Sequence, residues 1–298
     1  HGEMLREHME AMATLRLAGD ARGLAALLHT SLHRHLGDLT SPDLYGHAMA
    51  GTKHLVEQYL VEVEASIDHL AHTPFPEVAE EEKRHGFATA LRNLGRSALL
   101  LSGGATLGFY HLGVIKALWE QGLLPGVLSG ASMGAMIAAG IGCPNDEEIG
   151  GYFEDPSQIR LDGLHFAGWR RARTRRALLD PAEMEELLRH NVGPMTFAEA
   201  FEHTGRSVSI SVSPTRKRQK PRILNHLTAP DVLVWSAALA SSAIPGFFPP
   251  VTLHLKDRAG RERPYIPSER WVDGSLYGDL PTQRLSRLLN VNHFIVSQ

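Results

Sequence analysis

The sequence contains one cysteine, Cys143, among 298 residues. A single thiol cannot form an intrachain disulfide, which excludes the disulfide-stapled scaffolds of small secreted proteins. The sequence also has little net charge, -3, from 30 basic and 33 acidic residues. Because no positive excess attracts polyanions, we expect no nucleic-acid partner.

Charged residues are absent between Gln121 and Asn145, a stretch long enough to cross a bilayer. Glycines and Pro125 interrupt it, so a buried strand, turn and helix explains it better than a membrane span. Charged residues from Glu3 onward exclude a signal-peptide pattern. We therefore expect a cytoplasmic protein, or one bound peripherally to a membrane or lipid surface. Because the sequence begins with His1, we also expect a fragment or a processed chain.

The hydrophobic pattern changes near residue 95. Before that point, apolar residues recur at helical spacing in a charged background, which predicts an α-helical extension over residues 1–95. The predicted helices are Leu5–Leu17, Ala21–His35 and Lys53–His72. From residue 96 onward, strand and helix patterns alternate, which predicts an α/β domain over residues 96–298. Its clearest elements are the strands Ser97–Ser102 and Ser207–Val212, a hairpin partner at Arg222–Asn225, and a helix that begins at Asp180-Pro181.

A Gly-x-Ser-x-Gly pentapeptide occupies Gly130–Gly134, with Ser132 at its centre. The apolar run Leu123–Leu128 before it predicts a buried strand, and the small apolar residues after it predict a helix. This context is typical of a nucleophile elbow, a sharp turn that exposes one serine hydroxyl. Gly130 and Gly134 fit that turn because larger side chains would clash with nearby backbone. An ordinary buried strand-to-helix turn is the alternative.

The glycine-rich stretch Gly103–Gly108 lies between the first predicted strand and a predicted helix, Phe109–Trp119. Backbone N–H groups at a helix N-terminus can stabilise a developing oxyanion. A nucleotide-phosphate loop is the rival interpretation, but the stretch lacks Gly-Lys-Ser/Thr and the Gly-x-Gly-x-x-Gly spacing. We expect no cofactor and no metal.

The general base is less obvious. None of the six histidines after Ser132 lies in a context that marks it as catalytic, and only His293 follows Asp273. Asp273 itself ends a short apolar run in Trp271-Val272-Asp273-Gly274-Ser275. A Ser-Asp pair and a histidine-triad esterase both remain open, and the second requires His293 rather than Asp273.

Four motifs in this order resemble the patatin-like acyl hydrolase family. They are Ser102-Gly103-Gly104 with Gly108, Gly130-x-Ser132-x-Gly134, Ala240–Pro250 and Asp273-Gly274. The resemblance covers residue 97 to the end. Residues 1 to about 95 also resemble the helical extension of triacylglycerol lipases from yeast and plant seeds. The matching stretches are Leu27–His29 to His35–Gly37 and Tyr45–His47 to Gly51–Lys53.

The resemblance implies a three-layer α/β/α core and a lipid acyl hydrolase that cleaves esters of phospholipids or acylglycerols. It assigns Ser132 as nucleophile and Asp273 as base, with an acyl-enzyme intermediate and no catalytic histidine. It places the oxyanion donors at Gly103, Gly104 and Ala105. A catalytically weak lipid-binding or scaffold protein on the same fold is the alternative.

The sequence departs from the family pattern at three places. Leu107 stands where many members carry a basic residue, and Ser275 stands where glycine or alanine is usual. Both changes are compatible with activity. The family also continues beyond the final residues Phe294–Gln298, so we expect that the sequence is cut there.

Contacts with lipid can be predicted from apolar and basic residues. The candidates for an acyl channel are Phe109, Met133, Met136, Phe247 and Phe248. Two basic clusters could contact anionic headgroups or could simply be solvated. They are Arg170, Arg171, Arg173, Arg175 and Arg176, the better membrane candidate, and Arg216, Lys217, Arg218, Lys220 and Arg222. The helical extension could be a lid, a membrane anchor or the surface of a homodimer.

Overall fold

The computed structural model of the protein describes residues 2–298 except 33–35, 40, 42, 47, 49–52, 161–180 and 217. The chain divides into two compact units, His1–Gly95 and Arg96–Gln298. The first is the helical unit and the second is the α/β unit.

The helical unit is built from amphipathic helices, as the spacing of its apolar residues predicts. They are α1 (Gly2–Ala18), α2 (Ala21–Ser31), α3 (Asp43–Gly46), α4 (His54–His72) and α5 (Glu80–Leu94). Leu5, Met12, Leu24 and Tyr59 belong to its buried core. Helix α2 ends at Ser31, earlier than predicted, and the last predicted residues, 33–35, lie outside the described residues.

The α/β unit alternates strands and helices, as predicted. Its strands are β1 (Arg96–Leu101), β2 (Val127–Gly130), β3 (Ser207–Pro214), β4 (Arg222–Leu224), β5 (His254–Lys256), β6 (Glu262–Pro264), β7 (Trp271–Asp273) and β8 (Val291–Ser297). Its helices are α6 (Tyr110–Glu120), α7 (Met133–Gly142), α8 (Asp146–Glu154), α9 (Pro181–Val192), α10 (Phe197–Thr204), α11 (Val234–Ser241), α12 (Ser275–Gly278) and α13 (Thr282–Leu289). Short 3₁₀ turns occupy Leu36–Asp38, Ala105–Phe109 and Pro156–Gln158.

Two sequence predictions need correction here. Strand β2 begins at Val127 rather than Leu123, because Pro125 and Gly126 keep the preceding residues out of the sheet. The helix predicted from Phe109 begins with a 3₁₀ turn and becomes α-helical at Tyr110.

Among the described residues, six strands form the main sheet, in the order β4-β3-β2-β1-β8 with β7 also paired to β3. Strands β3, β2, β1 and β8 are parallel neighbours. Strands β4 and β7 run antiparallel to β3.

Helices cover both faces of this sheet. Leu99 and Leu101 of β1 belong to a core that includes residues of α6, α7, α9 and α11. Ala98 and Leu100, which alternate with them, pack in a separate core with Leu285 of α13. Alternation along β1 thus sends side chains to two cores, which gives the predicted three-layer α/β/α arrangement.

Strands β2 and β7 pair with the same edge of β3. Val212 pairs with Arg222 of β4 and also with Asp273 of β7, so β4 and β7 must lie on opposite edges of β3. Strand β2 likewise lies opposite β4, and its last residue, Gly130, pairs with Ile210. Strand β7 therefore pairs with β3 on the same edge as β2, beyond the end of β2. Its pairing at Val212 lies two residues, or about 7 Å, beyond the pairing of β2 at Ile210.

Candidate active site

Ser132 lies in the sharp turn between β2 and α7. Its backbone has φ 53 and ψ -125, a conformation that costs a non-glycine residue about 1–3 kcal/mol. The flanking glycines make the turn possible. A Cβ on Gly130 would lie 2.1 Å from the Gly134 carbonyl oxygen, and a Cβ on Gly134 would lie 2.1 Å from the Leu101 carbonyl oxygen. The backbone thus has the tight, strained form that a nucleophile elbow requires.

Asp273 ends strand β7 and is 1% exposed. Its carboxylate accepts a hydrogen bond from the Ser275 N–H at 2.7 Å, and the hydroxyls of Ser132 and Ser275 lie beside it, close enough to lower its pKa. Burial raises the pKa of Asp273 above its ordinary value, Ser275 and Ser132 oppose that shift, and the nearby charge of Asp279 adds to it. The two residues on which the Ser-Asp interpretation depends therefore lie next to each other.

The segment from Ser241 to Ala243 holds both residues in place. The Ser132 N–H donates to Ser241 Oγ at 3.0 Å, and the same hydroxyl donates to the Ser211 carbonyl at 2.7 Å. The Asp273 N–H donates to the Ala243 carbonyl at 3.0 Å. In the sequence this segment belongs to the motif Ala240–Pro250, for which no role was predicted.

The glycine-rich turn after β1 lies directly beside the elbow. A Cβ on Gly103 would be 3.2 Å from the Ser132 Cβ. The Gly103 N–H, however, donates to Asp279 Oδ1 at 2.9 Å. In the part of the chain that the structure describes, the N–H groups of Gly104 and Ala105 have no acceptor. Ala105 also has a positive φ of 47.

The peptide that joins Ser102 to Gly103 is held at both ends. On one side Asp279 accepts its N–H, and on the other the buried His111 lies with Nε2 3.0 Å from the Ser102 carbonyl oxygen. Because a carbonyl only accepts, Nε2 carries the proton and Nδ1 accepts from the Ser297 hydroxyl, 2.7 Å away. Sequence reasoning missed both His111 and Asp279. Neither lies in a recognisable motif. The sequence around Asp279 indicates only a turn, and the sequence around His111 indicates only a helix.

An apolar cavity lies along α7, and residues next to the turn and the elbow line it, although Ser132 itself does not. Phe109 and Met133, which follow Gly108 and Ser132 in sequence, line one end of it. Met136 and other residues of α7 line it further on, together with parts of α9. Three of the five predicted channel residues therefore meet in one cavity next to Ser132.

The sequence model of the patatin-like phospholipase family matches residues 99–285. The chain belongs to this family. A second model, for a domain of unknown function called DUF3336, matches residues 2–92, which correspond to the helical unit.

Curated relatives extend well beyond the length of this patatin-like chain. Triacylglycerol lipase SDP1L of Arabidopsis thaliana is 36% identical over 99% of this chain, which is 39% of that protein. The patatin-like phospholipase domain-containing protein CNBE2340 of Cryptococcus neoformans is 38% identical over 99% of this chain and 34% of its own length. Among solved structures, VipD from Legionella pneumophila aligns at 17% identity and a TM-score of 0.40, covering 68% of this chain and 50% of that one.

The other residues of this patatin-like chain that were predicted to contact lipid do not line this cavity or lie outside the described residues. Phe248 is buried in the core and Phe247 is 48% exposed, and neither lines the cavity next to Ser132. The cluster Arg170, Arg171, Arg173, Arg175 and Arg176 lies outside the described residues, as does Lys217. In the second cluster, Arg216 pairs with Glu269 at 3.1 Å.

Other nucleophile and base candidates lie away from this site or are chemically inert. His293 contacts Ser97 Oγ at 3.0 Å, at the start of β1 rather than at the end that leads to Gly103. This position removes the geometric basis for a triad that uses His293. Burial raises the pKa of the Cys143 thiol to about 12, so it is not a nucleophile at neutral pH.

The uncharged stretch from Gln121 to Asn145 forms β2, the elbow and α7. Within the described ranges, no helix combines the length and the hydropathy that a membrane span requires.

Proposed function

We propose that this chain is a lipid acyl hydrolase that cleaves carboxylic esters of phospholipids or acylglycerols, with Ser132 as nucleophile and Asp273 as general base. The observation that carries the proposal is that the Ser132 hydroxyl, at a strained elbow, lies beside the buried Asp273 carboxylate, close enough to lower its pKa. A serine hydroxyl needs an adjacent base to attack an ester, and this carboxylate supplies one.

The reaction begins when Ser132 Oγ attacks the ester carbonyl carbon while Asp273 takes the hydroxyl proton. The tetrahedral oxyanion is held by the N–H groups of Gly104 and Ala105, with the Met133 N–H at the start of α7 as a further donor. One such donor contributes about 3–4 kcal/mol to transition-state stabilisation. The intermediate collapses, the C–O bond to the alcohol breaks, and Asp273 returns the proton to the departing oxygen.

The acyl-enzyme is then hydrolysed by the same groups. Asp273 takes a proton from water as the water oxygen attacks the acyl carbonyl, and the second oxyanion uses the same donors. Collapse breaks the Ser132 ester bond and releases the carboxylic acid, while the proton returns to Ser132 Oγ. The reaction consumes one water molecule for each ester bond that is cleaved.

Burial of Asp273 suits this role. A solvated aspartate is a weak base, and removing the carboxylate from water raises its pKa and its proton affinity. The hydrogen bond from the Ser275 N–H keeps the carboxylate oriented and limits that rise. The site therefore balances basicity against the cost of a buried charge.

A lipid substrate is supported by the apolar cavity beside Ser132 and by the family. The relatives named above are described as a triacylglycerol lipase and a patatin-like phospholipase domain protein. Both substrate classes present a long acyl chain on an ester, and the cavity is suited to the acyl chain that both share.

Peripheral contact with a lipid surface is part of the proposal. The segments next to the site residues in sequence carry exposed apolar side chains: Leu107 is 82% exposed, Tyr110 72%, Leu276 52% and Phe247 48%. Apolar side chains around the mouth of a site favour contact with a lipid–water interface. The arginine cluster at 170–176 remains a predicted contribution to binding anionic headgroups.

The alternative, a catalytically weak lipid-binding protein, has one observation in its favour. Asp279 accepts a hydrogen bond from the Gly103 N–H, which was predicted to bind the oxyanion. If Gly104 and Ala105 do not suffice as donors, hydrolysis will be slow although lipid still binds.

The test is release of fatty acid from phospholipid and triacylglycerol emulsions, and of nitrophenol from short-chain esters. Ser132→Ala should lower kcat by about 10⁴-fold or more. Ser129→Ala is the matched control, because its buried hydroxyl in β2 has no partner among the described residues. If the unmodified protein and Ser132→Ala give equal rates on every ester, the hydrolase proposal fails and the lipid-binding alternative stands.

A further inference from the structure

Helix α7 contains three glycines, and close packing explains why two of these positions are glycine. A Cβ on Gly134 would lie 2.1 Å from the Leu101 carbonyl oxygen, and a Cβ on Gly142 would lie 2.3 Å from Val208 Cγ2. Both positions pack against neighbouring strands too closely for any side chain.

Gly140 has no such reason. A Cβ built there meets no atom of the described residues within 4 Å, apart from the backbone of its own helix. Glycine inside a helix costs about 0.5–1 kcal/mol relative to alanine. The missing side chain therefore weakens the helix and relieves no clash. Gly113 of α6 shares these properties but is exposed, whereas Gly140 lines a cavity, and this difference points to a use for the space at Gly140.

That space belongs to the cavity beside Ser132. Met133, Met136, Ile137, Gly140 and Ile141 all line it. Their spacing of three and four residues places them on one face of α7, so the cavity follows that face along the helix. From Met133 to Gly140 the helix rises about 10 Å, or two turns.

The opposite wall is fixed by hydrogen bonds rather than by packing alone. The Asn191 side chain of α9 accepts from the Arg160 N–H at 2.9 Å and donates to the Arg160 carbonyl at 2.8 Å. Arg160 also pairs with Glu186 at 3.0 Å. These bonds join the Arg160 segment to α9, and α9 packs in the same core as α7. The wall that faces α7 is thus held together, so the width of the cavity there depends on the residue at position 140.

We infer that Gly140 determines the length of the acyl chain that the site accepts. The inference rests on the proposed hydrolysis at Ser132. An ester held at Ser132 places its acyl chain along the apolar face of α7, and the absent side chain at Gly140 lets a long chain continue past two helical turns. A larger residue at this position would close the cavity there and restrict the site to shorter chains.

The experiment compares p-nitrophenyl butyrate with p-nitrophenyl palmitate. In Gly140→Leu, the ratio of kcat/KM for palmitate to that for butyrate should fall about tenfold or more, because several methylenes lose their place in the cavity. Gly140→Ala should give a smaller fall in the same direction. Gly113→Leu is the matched control, since Gly113 is exposed in α6, has no described atom near its Cβ and does not line the cavity.

A binding measurement separates this inference from the proposed function. Ser132→Ala should bind a long-chain fluorescent fatty acid such as cis-parinaric acid, and adding Gly140→Leu should weaken that binding about tenfold. If the unmodified protein hydrolyses neither ester, the proposed function fails and the binding measurement decides the inference alone. The inference is overturned if the palmitate to butyrate ratio and fatty-acid binding both stay unchanged in a folded Gly140→Leu protein, or if Gly113→Leu shifts the ratio equally.

Discussion

The backbone N–H of Gly103 donates a hydrogen bond to Asp279 Oδ1 at 2.9 Å. The peptide that leads into the glycine-rich turn is thereby held by a carboxylate, and His111 holds its carbonyl side. The turn is positioned by His111 of the next helix and by Asp279, which follows Gly103 by 176 positions in sequence. The N–H groups of Gly104 and Ala105 are left as donors for the proposed oxyanion. The charge of Asp279 also acts on Asp273, whose pKa it helps to raise.

Replacing Asp279 by asparagine should move the acid limb of the pH–rate profile to lower pH. Asparagine keeps an oxygen that can accept the Gly103 N–H but removes the negative charge. Since that charge raises the pKa of Asp273, its loss lowers this pKa and leaves the base ionised at more acidic pH. The measurement is kcat/KM against pH on a soluble short-chain ester.

Asp279→Ala separates the charge from the hydrogen bond. It should also move the acid limb, but it leaves the Gly103 N–H without its acceptor and should lower kcat across the whole pH range. Identical profiles for Asp279→Asn and the unmodified protein would contradict the electrostatic role of Asp279.

Asp273→Asn should remove activity without unfolding the protein. We expect kcat to fall by about 10⁴-fold, because no base accepts the Ser132 proton. The folded-state pKa of Asp273 is raised, so its contribution to stability is present at low pH and is lost as pH rises through that pKa. The asparagine variant should therefore match or exceed the parent in urea midpoint at neutral pH, and this advantage should vanish in acid.

A lower urea midpoint for Asp273→Asn at neutral pH would contradict the desolvation argument. His293→Ala serves as the kinetic control for this prediction. It should leave kcat unchanged, because His293 lies at the other end of β1 and contacts Ser97.

Ser241→Ala should slow the reaction through position rather than chemistry. The substitution leaves the Ser132 N–H unpaired in a buried site, at a cost of about 1–3 kcal/mol of unfolding free energy. Because the elbow is then held less firmly, kcat should fall about tenfold or more while KM stays the same.

Ser236→Ala is the matched control in the same helix. Its buried hydroxyl likewise accepts a backbone N–H, from His254 at 3.1 Å, and donates to a carbonyl, that of Leu233 at 2.9 Å. It should cost similar stability but leave kcat unchanged. Equal kinetic losses in the two variants would mean that Ser241 acts only through overall stability.

Gly134→Ala should destabilise the α/β unit by about 3 kcal/mol or more, because its Cβ would lie 2.1 Å from the Leu101 carbonyl oxygen and backbone cannot move aside cheaply. Gly113→Ala, in an open helical position, should instead stabilise by about 0.5–1 kcal/mol. Urea unfolding followed by circular dichroism measures both. A Gly134→Ala protein as stable as the parent would contradict the close packing of the elbow.

Local patterns in the sequence predicted most of the elements and the candidate nucleophile. Apolar periodicity depends on 3.6 residues per helical turn and two per strand repeat, so it identifies helices such as α4 and strands such as β3 without any tertiary information. Ser132 was recognisable for the same reason, since the glycines around it reflect short-range sterics. Errors occurred at boundaries, such as the start of β2, where proline and glycine compete with apolar character.

The tertiary structure alone decided which residues meet. Ser132 and Asp273 come together because β7 follows β2 along one edge of β3, and that register depends on packing of the whole sheet. The contact of Asp279 with Gly103 and the open space at Gly140 have no local signature either. By itself the sequence determined the elbow and the residues able to act there. The contacts that place those residues beside a buried carboxylate, an ordered glycine turn and an apolar cavity form only when distant segments pack, because such contacts depend on strand register rather than on neighbouring residues.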